Sequence, residues 1–221
     1  ASLVVLPPSE EDFPTPFDFI GTPVIIVPKS KGKLVQVQRV TANSEGESSF
    51  SDQGTYPTGD SPAQASTGNF DSLAPTFLGG SEAALSDVAT ANFGSDSVTV
   101  LLGQSDGTFA LTPDTLLVHD VRPLALQTGD FNNDLLDDLA VAGAAGVSVL
   151  LGDGLGGFSL QTFSPVEDLT DLSLGFVNND LFLDVVSASG ALAAGPGLES
   201  GFATVLLGNG DGTLANAGIF A

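Results

Sequence analysis

The stretch Leu124–Phe158, LALQTGDFNNDLLDDLAVAGAAGVSVLLGDGLGGF, decides how the chain is read. LALQT is short and apolar. DLAVA and VSVLL follow as runs of Val, Leu and Ala parted by GAAG, and a Gly-rich turn, GDGLGG, leads into FSLQTF. Such runs, punctuated by Gly, Asn and Asp, predict short antiparallel strands, here grouped as one four-stranded unit. After the first run, GDFNNDLLD sets Asp130, Asn132, Asp134 and Asp138 at loop positions 1, 3, 5 and 9, with the Leu136 carbonyl at position 7. Alternate residues of a tight loop point oxygens inward, and a last carboxylate closes the shell, which suits Ca2+. Magnesium suits it less, because that ion asks for a rigid octahedral shell with retained waters. The plainer alternative is an Asx-rich turn without an ion, but carboxylates packed so closely repel unless a cation offsets them.

The unit repeats. Its second hairpin, VSVLLGDGLGGF (147–158), recurs as VTVLLGQSDGTF (98–109) and ATVLLGNGDGTL (203–214). Its first half recurs as LSLGFVNNDLFLDVVSA (172–188) and, interrupted, as AQASTGNFD (63–71) with DVATA (87–91). Together with YPTGDSP (56–62), GDFNND (129–134), DLAVA (138–142) and VLLGNGDGT (205–213), these residues resemble the FG-GAP or VCBS-type repeat of bacterial secreted proteins and integrin alpha-subunit heads. The match runs over roughly residues 56–221. The resemblance implies that each unit is one blade of a β-propeller, with calcium in the loop between its first two strands. The expected fold is all-β, built of four-stranded antiparallel blades, about three complete and one partial. A ligand does not follow from a fold.

Four divisions are expected: 1–55, a partial N-terminal blade with a Pro- and acid-rich linker and a basic hairpin; 56–111, a blade with an insertion; 112–164, the blade with the calcium loop; and 165–221, a blade with a Gly/Ala-rich insertion at 190–202. Two of the ion loops are degraded. In FVNNDLFLD, Phe176 takes position 1 and leaves Asn178, Asp180 and Asp184; in the interrupted loop Asn69, Asp71 and Asp87 remain, without position 5. SLVVL (2–6) resembles the second strand of a blade, and PVIIVPKSKGKL (23–34) falls in register with VTVLLGQSDGTF, so the chain is expected to start in mid-blade. Residues 41–54 read as a loop or outer-strand extension. Three blades and a fraction do not close a ring, since propellers need ~4–8. Either the sequence is a piece of a longer polypeptide or other chains complete it. Asp137 is expected to point outward, and Asp106, Asp153 and Asp211 to be turn residues with unusual φ.

Composition narrows the function. With 42% hydrophobic residues, 27 Gly and 13 Pro, the chain suits many short strands and turns rather than disorder. A net charge of −22 excludes a surface for nucleic acid or anionic membrane. Residues 1–39 hold four acids and four of the five basic residues, Lys29, Lys31, Lys33 and Arg39; the remainder holds 23 acids and only Arg122. The basic segment reads either as a solvated turn or as a surface that docks on acidic neighbours, among them further copies of the chain. Without Cys there is no disulfide scaffold, and no run is long enough to span a bilayer. Nucleophile motifs are absent, His119 is the sole histidine, and neither Trp nor more than one Tyr (Tyr56) offers stacking faces for sugars. The expected protein is therefore a secreted or cell-surface, calcium-stabilised module for protein binding, adhesion or assembly, without catalysis. The alternatives are the non-catalytic propeller portion of a larger secreted polysaccharide-active enzyme, and a lectin. Extracellular placement follows from weak calcium sites, which fill only where the ion is ~millimolar.

Overall fold

The computed structural model describes residues 24–28, 33–42, 48–71, 86–104, 106–112, 116–117, 122–166, 169–189 and 201–220. They form four antiparallel sheets in chain order. The first holds β1 (Val24–Pro28), β2 (Leu34–Ala42) and β3 (Ser48–Pro57). The second orders β4 (Pro62–Gly68), β5 (Asp87–Asn92), β6 (Ser97–Gly103) and β7 (Phe109–Leu111), with β8 (Leu116–Leu117) also pairing with β6. The third is β9 (Pro123–Gly129), β10 (Asp138–Gly143), β11 (Gly146–Gly152) and β12 (Phe158–Pro165). The fourth is β13 (Leu169–Gly175), β14 (Asp184–Ser189), β15 (Ala203–Gly208) and β16 (Leu214–Phe220). Strands adjacent in sequence are adjacent in each full sheet, the usual arrangement for consecutive elements.

Successive sheets pack face to face and fan out. The first strands β4, β9 and β13 adjoin, while the fourth strands scarcely meet. That wedge arrangement is propeller-like and differs from a two-sheet sandwich, in which faces stay nearly parallel. Three apolar layers fill the gaps. Val35 meets Ala65, Val88 and Leu101 between the first and second sheets. Ala89, Ala91, Val98 and Val100 meet Leu126, Leu139, Val141 and Leu150 between the second and third. Ala140, Ala142, Val147 and Val149 meet Leu172, Val185 and Leu206 between the third and fourth. Phe70 and Phe131 are buried in these layers. Tyr56 stacks edge-on against Phe109, centroids 5.3 Å apart, in a structural role. β5 and β10 are buried at every position because a sheet covers each of their faces.

Register irregularities recur at equivalent places and correct one expectation. The pairing of third and fourth strands slips at Val149/Leu150 and at Val205/Leu206. The same slip occurs between β2 and β3, at Val37/Gln38. β2 and β3 are therefore the third and fourth strands of the first sheet, and β1 is its second. The alignment of 23–34 with 98–109 is off by one strand, because a lysine-rich turn after an apolar run looks alike whichever hairpin it closes. Residues 48–57 supply the outer strand itself. The assignment of Ser2–Leu6 lies outside the described residues, as do the 190–200 insertion and His119.

Candidate metal centre

The loop between β9 and β10 is held by its own polar side chains. Asp134 N donates to Asp130 Oδ1 (3.2 Å) and Asn132 Oδ1 (3.1 Å), Leu135 N donates to Asp130 Oδ2 (3.0 Å), and Leu136 N donates to Asp134 Oδ1 (2.8 Å). Asn132 Nδ2 donates to Asp134 Oδ2 at 2.8 Å. These are Asx turns in series, which bend the backbone so that positions 1, 3 and 5 share one side of the loop. Asp134 is exposed, whereas Asp130 and Asn132 are partly covered.

Position 9 behaves differently. Asp138, fully buried, accepts from Phe131 N (2.8 Å) with one oxygen and from Gly152 N (2.9 Å) with the other. It thus ties the ion loop to the end of the third strand. Asp184 repeats the staple, accepting from Val177 N (2.7 Å), Asn178 N (3.3 Å) and Gly208 N (2.9 Å). Asp87 does so a third time, with Phe70 N (2.7 Å), Asp71 N (3.3 Å) and Gly103 N (2.8 Å). Each carboxylate satisfies amides that would otherwise be buried without partners, at a site where no strand ladder reaches them. Burial pushes Asp87 and Asp138 up to about 6, against the pull of these amides, and at Asp138 the charges of Asp134 and Asp130 push the same way. The glycine that receives the staple has no room for a side chain. A Cβ on Gly152 would stand 2.4 Å from Asp137 O, and one on Gly208 2.2 Å from Leu183 O.

The other candidate ligands are placed as follows. Asn178 Nδ2 donates to Asp180 Oδ2 (2.6 Å), Asp180 N donates to Asn178 Oδ1 (3.0 Å) and Phe182 N donates to Asp180 Oδ1 (3.0 Å), a copy of the second half of the Asp130 loop. Phe176 at position 1 is exposed and brings no oxygen side chain. In the interrupted loop, Asn69 N donates to Asp137 Oδ2 at 2.7 Å, and the residues from 72 to 85 lie outside the described set. Asp137 is thus a link between the second and third sheets rather than an outward, solvated group. In the turns after β6, β11 and β15 positive φ falls on Gly107, Gly154, Gly156, Gly210 and Gly212, not on Asp106, Asp153 or Asp211. Asp106 and Asp211 instead accept from the amide and hydroxyl of Thr108 and Thr213, which holds both carboxyls below their usual range, and Asp153 accepts from Leu155 N and Gly157 N.

Sequence reasoning passed over position 6. An ion loop of this spacing turns sharply there and asks for glycine. Here Leu135 and Leu181 occupy it with φ of +69° and +68°, side chains 91% and 80% exposed. A bulky residue in that region is strained by about 1–2 kcal/mol. The donor chemistry still fits a hard cation. Each carboxylate oxygen has two lone pairs, so accepting one amide leaves one for an ion. Among the described residues Lys33–Asp60 (3.1 Å) is the one ion pair, so none of their basic side chains neutralises the loop. As placed, however, no three Asp, Glu, His or Cys side chains among the described residues form a metal-holding group. Closing a shell therefore calls on Asn132 and the Leu136 carbonyl.

No protein-family profile matches the chain, and no curated protein matches it. Solved structures do. A protein from Lactobacillus plantarum aligns with TM-score 0.55 and 15% identity, over 89% of this chain and 52% of its own. BBS1N, crystallised in complex with ARL6DN, aligns with TM-score 0.53 and 11% identity, over 90% of this chain and 52% of its own. The chain thus spans about half the length of each. At these identities the likeness concerns the fold alone: a repeat-built, β-propeller-like all-β architecture.

Proposed function

We propose that the chain is a non-catalytic, FG-GAP-type propeller module that works outside the cell in protein binding or assembly and takes calcium in its Asp130–Asp138 loop. One feature carries this reading: the end of the sheets where the first-to-second and third-to-fourth strand loops meet. That end carries the oxygens of Asp130, Asn132 and Asp134 and, on loops of the third and fourth sheets, the strongly exposed apolar tips Leu135, Leu155, Phe176 and Leu181. Exposed apolar side chains recurring on the loops of one end suit contact with another macromolecule. The loops there touch from sheet to sheet: Gly156 N donates to Phe70 O (2.8 Å), Gly212 N to Phe131 O (2.9 Å) and Asn133 Nδ2 to Gly210 O (3.3 Å). Bound calcium supplies charge that the acidic loop lacks, and the residues pinned by it are those of a shared surface.

The polysaccharide-enzyme and lectin alternatives gain no particular support, because the exposed tips are aliphatic or Phe and the buried carboxylates are occupied by backbone amides. Asp134→Ala tests the calcium reading. It should lower the melting temperature more in millimolar calcium than in excess chelator, where only its loop hydrogen bonds are lost. Equal losses in both buffers would sink it.

A further inference from the structure

The three turns that follow β6, β11 and β15 differ in one place. In the second and fourth sheets Asp106 and Asp211 hold Thr108 and Thr213. In the third sheet Leu155 and Gly157 stand at those two positions, and Leu155 is 79% exposed. The glycine between them leans on the preceding sheet. A Cβ on Gly212 would stand 2.9 Å from both Leu151 Cδ2 and Gln161 Cγ, whereas the nearest neighbours of one on Gly156 would all be atoms of Leu102, from 2.9 Å. Gln161 thus lies across the gap between the third and fourth sheets, and its Nε2 donates to Asp211 O (3.1 Å). Counted from the equivalent Phe109 and Phe158, Thr112 takes the place of Gln161 at the preceding gap. Its side chain is shorter, and its Oγ1 turns back to donate to Val100 O (3.1 Å).

A groove of about 510 Å³ therefore stays open between the second and third sheets. It is lined by Val100, Leu102 and Thr112 on one side and by Asp153, Leu155 and Phe158 on the other. Its walls are mostly apolar, and its lining holds one carboxylate and no basic side chain. Both amides that Asp153 accepts, from Leu155 and Gly157, end on Oδ1, which leaves the lone pairs of Oδ2 for a further donor. Leu155 O is the counterpart of the carbonyl that Gln161 meets, and no donor among the described residues reaches it.

We infer that this groove receives an arginine side chain of a partner protein. The methylene stem lies along Leu102 and Leu155, and the guanidinium donates to Asp153 Oδ2 and Leu155 O. Gln161 shows within the chain what the neighbouring gap takes: an aliphatic stem that ends in an N–H donor to the turn carbonyl. Arginine adds the charge that a carboxylate calls for, and its planar fork of donors can meet two acceptors at once while its stem covers apolar surface. A net charge of −22 draws a basic partner in the same sense. The inference rests on the protein-binding reading above and names the chemistry of the partner.

NMR titration of the isotope-labelled full chain with acetyl-Leu-Arg-Leu-amide, and with the same peptide carrying neutral citrulline for arginine, tests it. The arginine peptide should shift the amide resonances of Leu102, Leu155, Gly156 and Gly157 saturably at ~millimolar concentration. The citrulline peptide should bind about tenfold more weakly, since a charge-assisted hydrogen bond is lost. Thr112→Gln, which supplies at this gap the side chain that occupies the next one, should abolish the shifts with an unchanged circular dichroism spectrum. Asp153→Asn keeps Oδ1 as the turn acceptor and should weaken binding about tenfold; it decides the matter if the glutamine variant does not fold. Equal affinity for the two peptides, which would make the groove a purely apolar site, overturns the inference. So does binding that survives both substitutions, or the absence of shifts, as when residues of the chain outside the described set fill the groove. None of these outcomes touches the calcium-dependent melting of Asp134→Ala, so failure of the arginine groove and failure of the module reading are separable.

Discussion

The stapling aspartates show how a single residue type can serve two ends. In the linear sequence Asp138 reads as the last position of a cation-loop pattern, and in the fold it is a buried acceptor for two backbone amides. Asp138→Asn keeps the shape and turns one acceptor into a donor that faces an N–H. A buried polar group left unmatched costs about 1–3 kcal/mol, so urea unfolding should show a loss of that size, and Asp184→Asn a similar one. Asp106→Asn, in an exposed turn, should leave the unfolding midpoint close to that of the parent chain. Equal effects at all three positions would contradict the staple. Asp87 and Asp138 also set a pH dependence. Their folded values, about 6, lie above the ordinary 3.8, so the native state binds protons that the unfolded chain does not. The resulting stabilisation is fully present below about 4 and lost as pH rises through about 6. In chelator and in a His119→Gln background, the melting midpoint should be higher at pH 5 than at pH 7.5; a lower one refutes the raised values. The aspartates themselves were legible from spacing. Their amide partners were not, because Gly103, Gly152 and Gly208 lie 14 to 24 residues further on.

At the scale of elements, strand pattern follows position in the stack. β10, between two sheets, is buried throughout, while in the last sheet the two faces of β14 and β15 differ. A run such as DLAVA announces a strand, but the number of its covered faces depends on neighbours it does not encode. Burial also leaves Ser148, Ser187 and Thr204 hydroxyls without hydrogen-bond partners inside the stack. Ser187 and Thr204 are cross-strand partners. Thr204→Val replaces a buried hydroxyl by a methyl of similar volume and should stabilise the chain by about 1 kcal/mol, since a desolvated and unpaired polar group is removed. A destabilisation measured by urea unfolding would mean that the hydroxyl has a partner after all. The register slip shared by β2–β3, β11–β12 and β15–β16 is what assigned the first sheet correctly. A bulge shifts pairing by one residue without leaving a reliable mark in composition.

At the scale of the whole molecule, a net charge of −22 is borne with Arg122 as the lone basic residue after position 39. Self-repulsion of that size destabilises the compact state and is screened by salt. The melting midpoint should therefore rise as NaCl goes from about 0.02 to about 0.5 M. A fall would show that attractive pairs outweigh repulsion. By itself the sequence determined the repeat and the four-stranded unit, because hydrophobic runs and turn residues are local and recur three times, while the full D-x-N-x-D spacing occurs once, at Asp130–Asp134. Tertiary structure alone decided that Asp138 faces amides, that Asp137 bridges sheets, and that β2 is a third strand. Each of these depends on contacts between residues far apart in the chain, and local pattern carries no record of which neighbour arrives to make them.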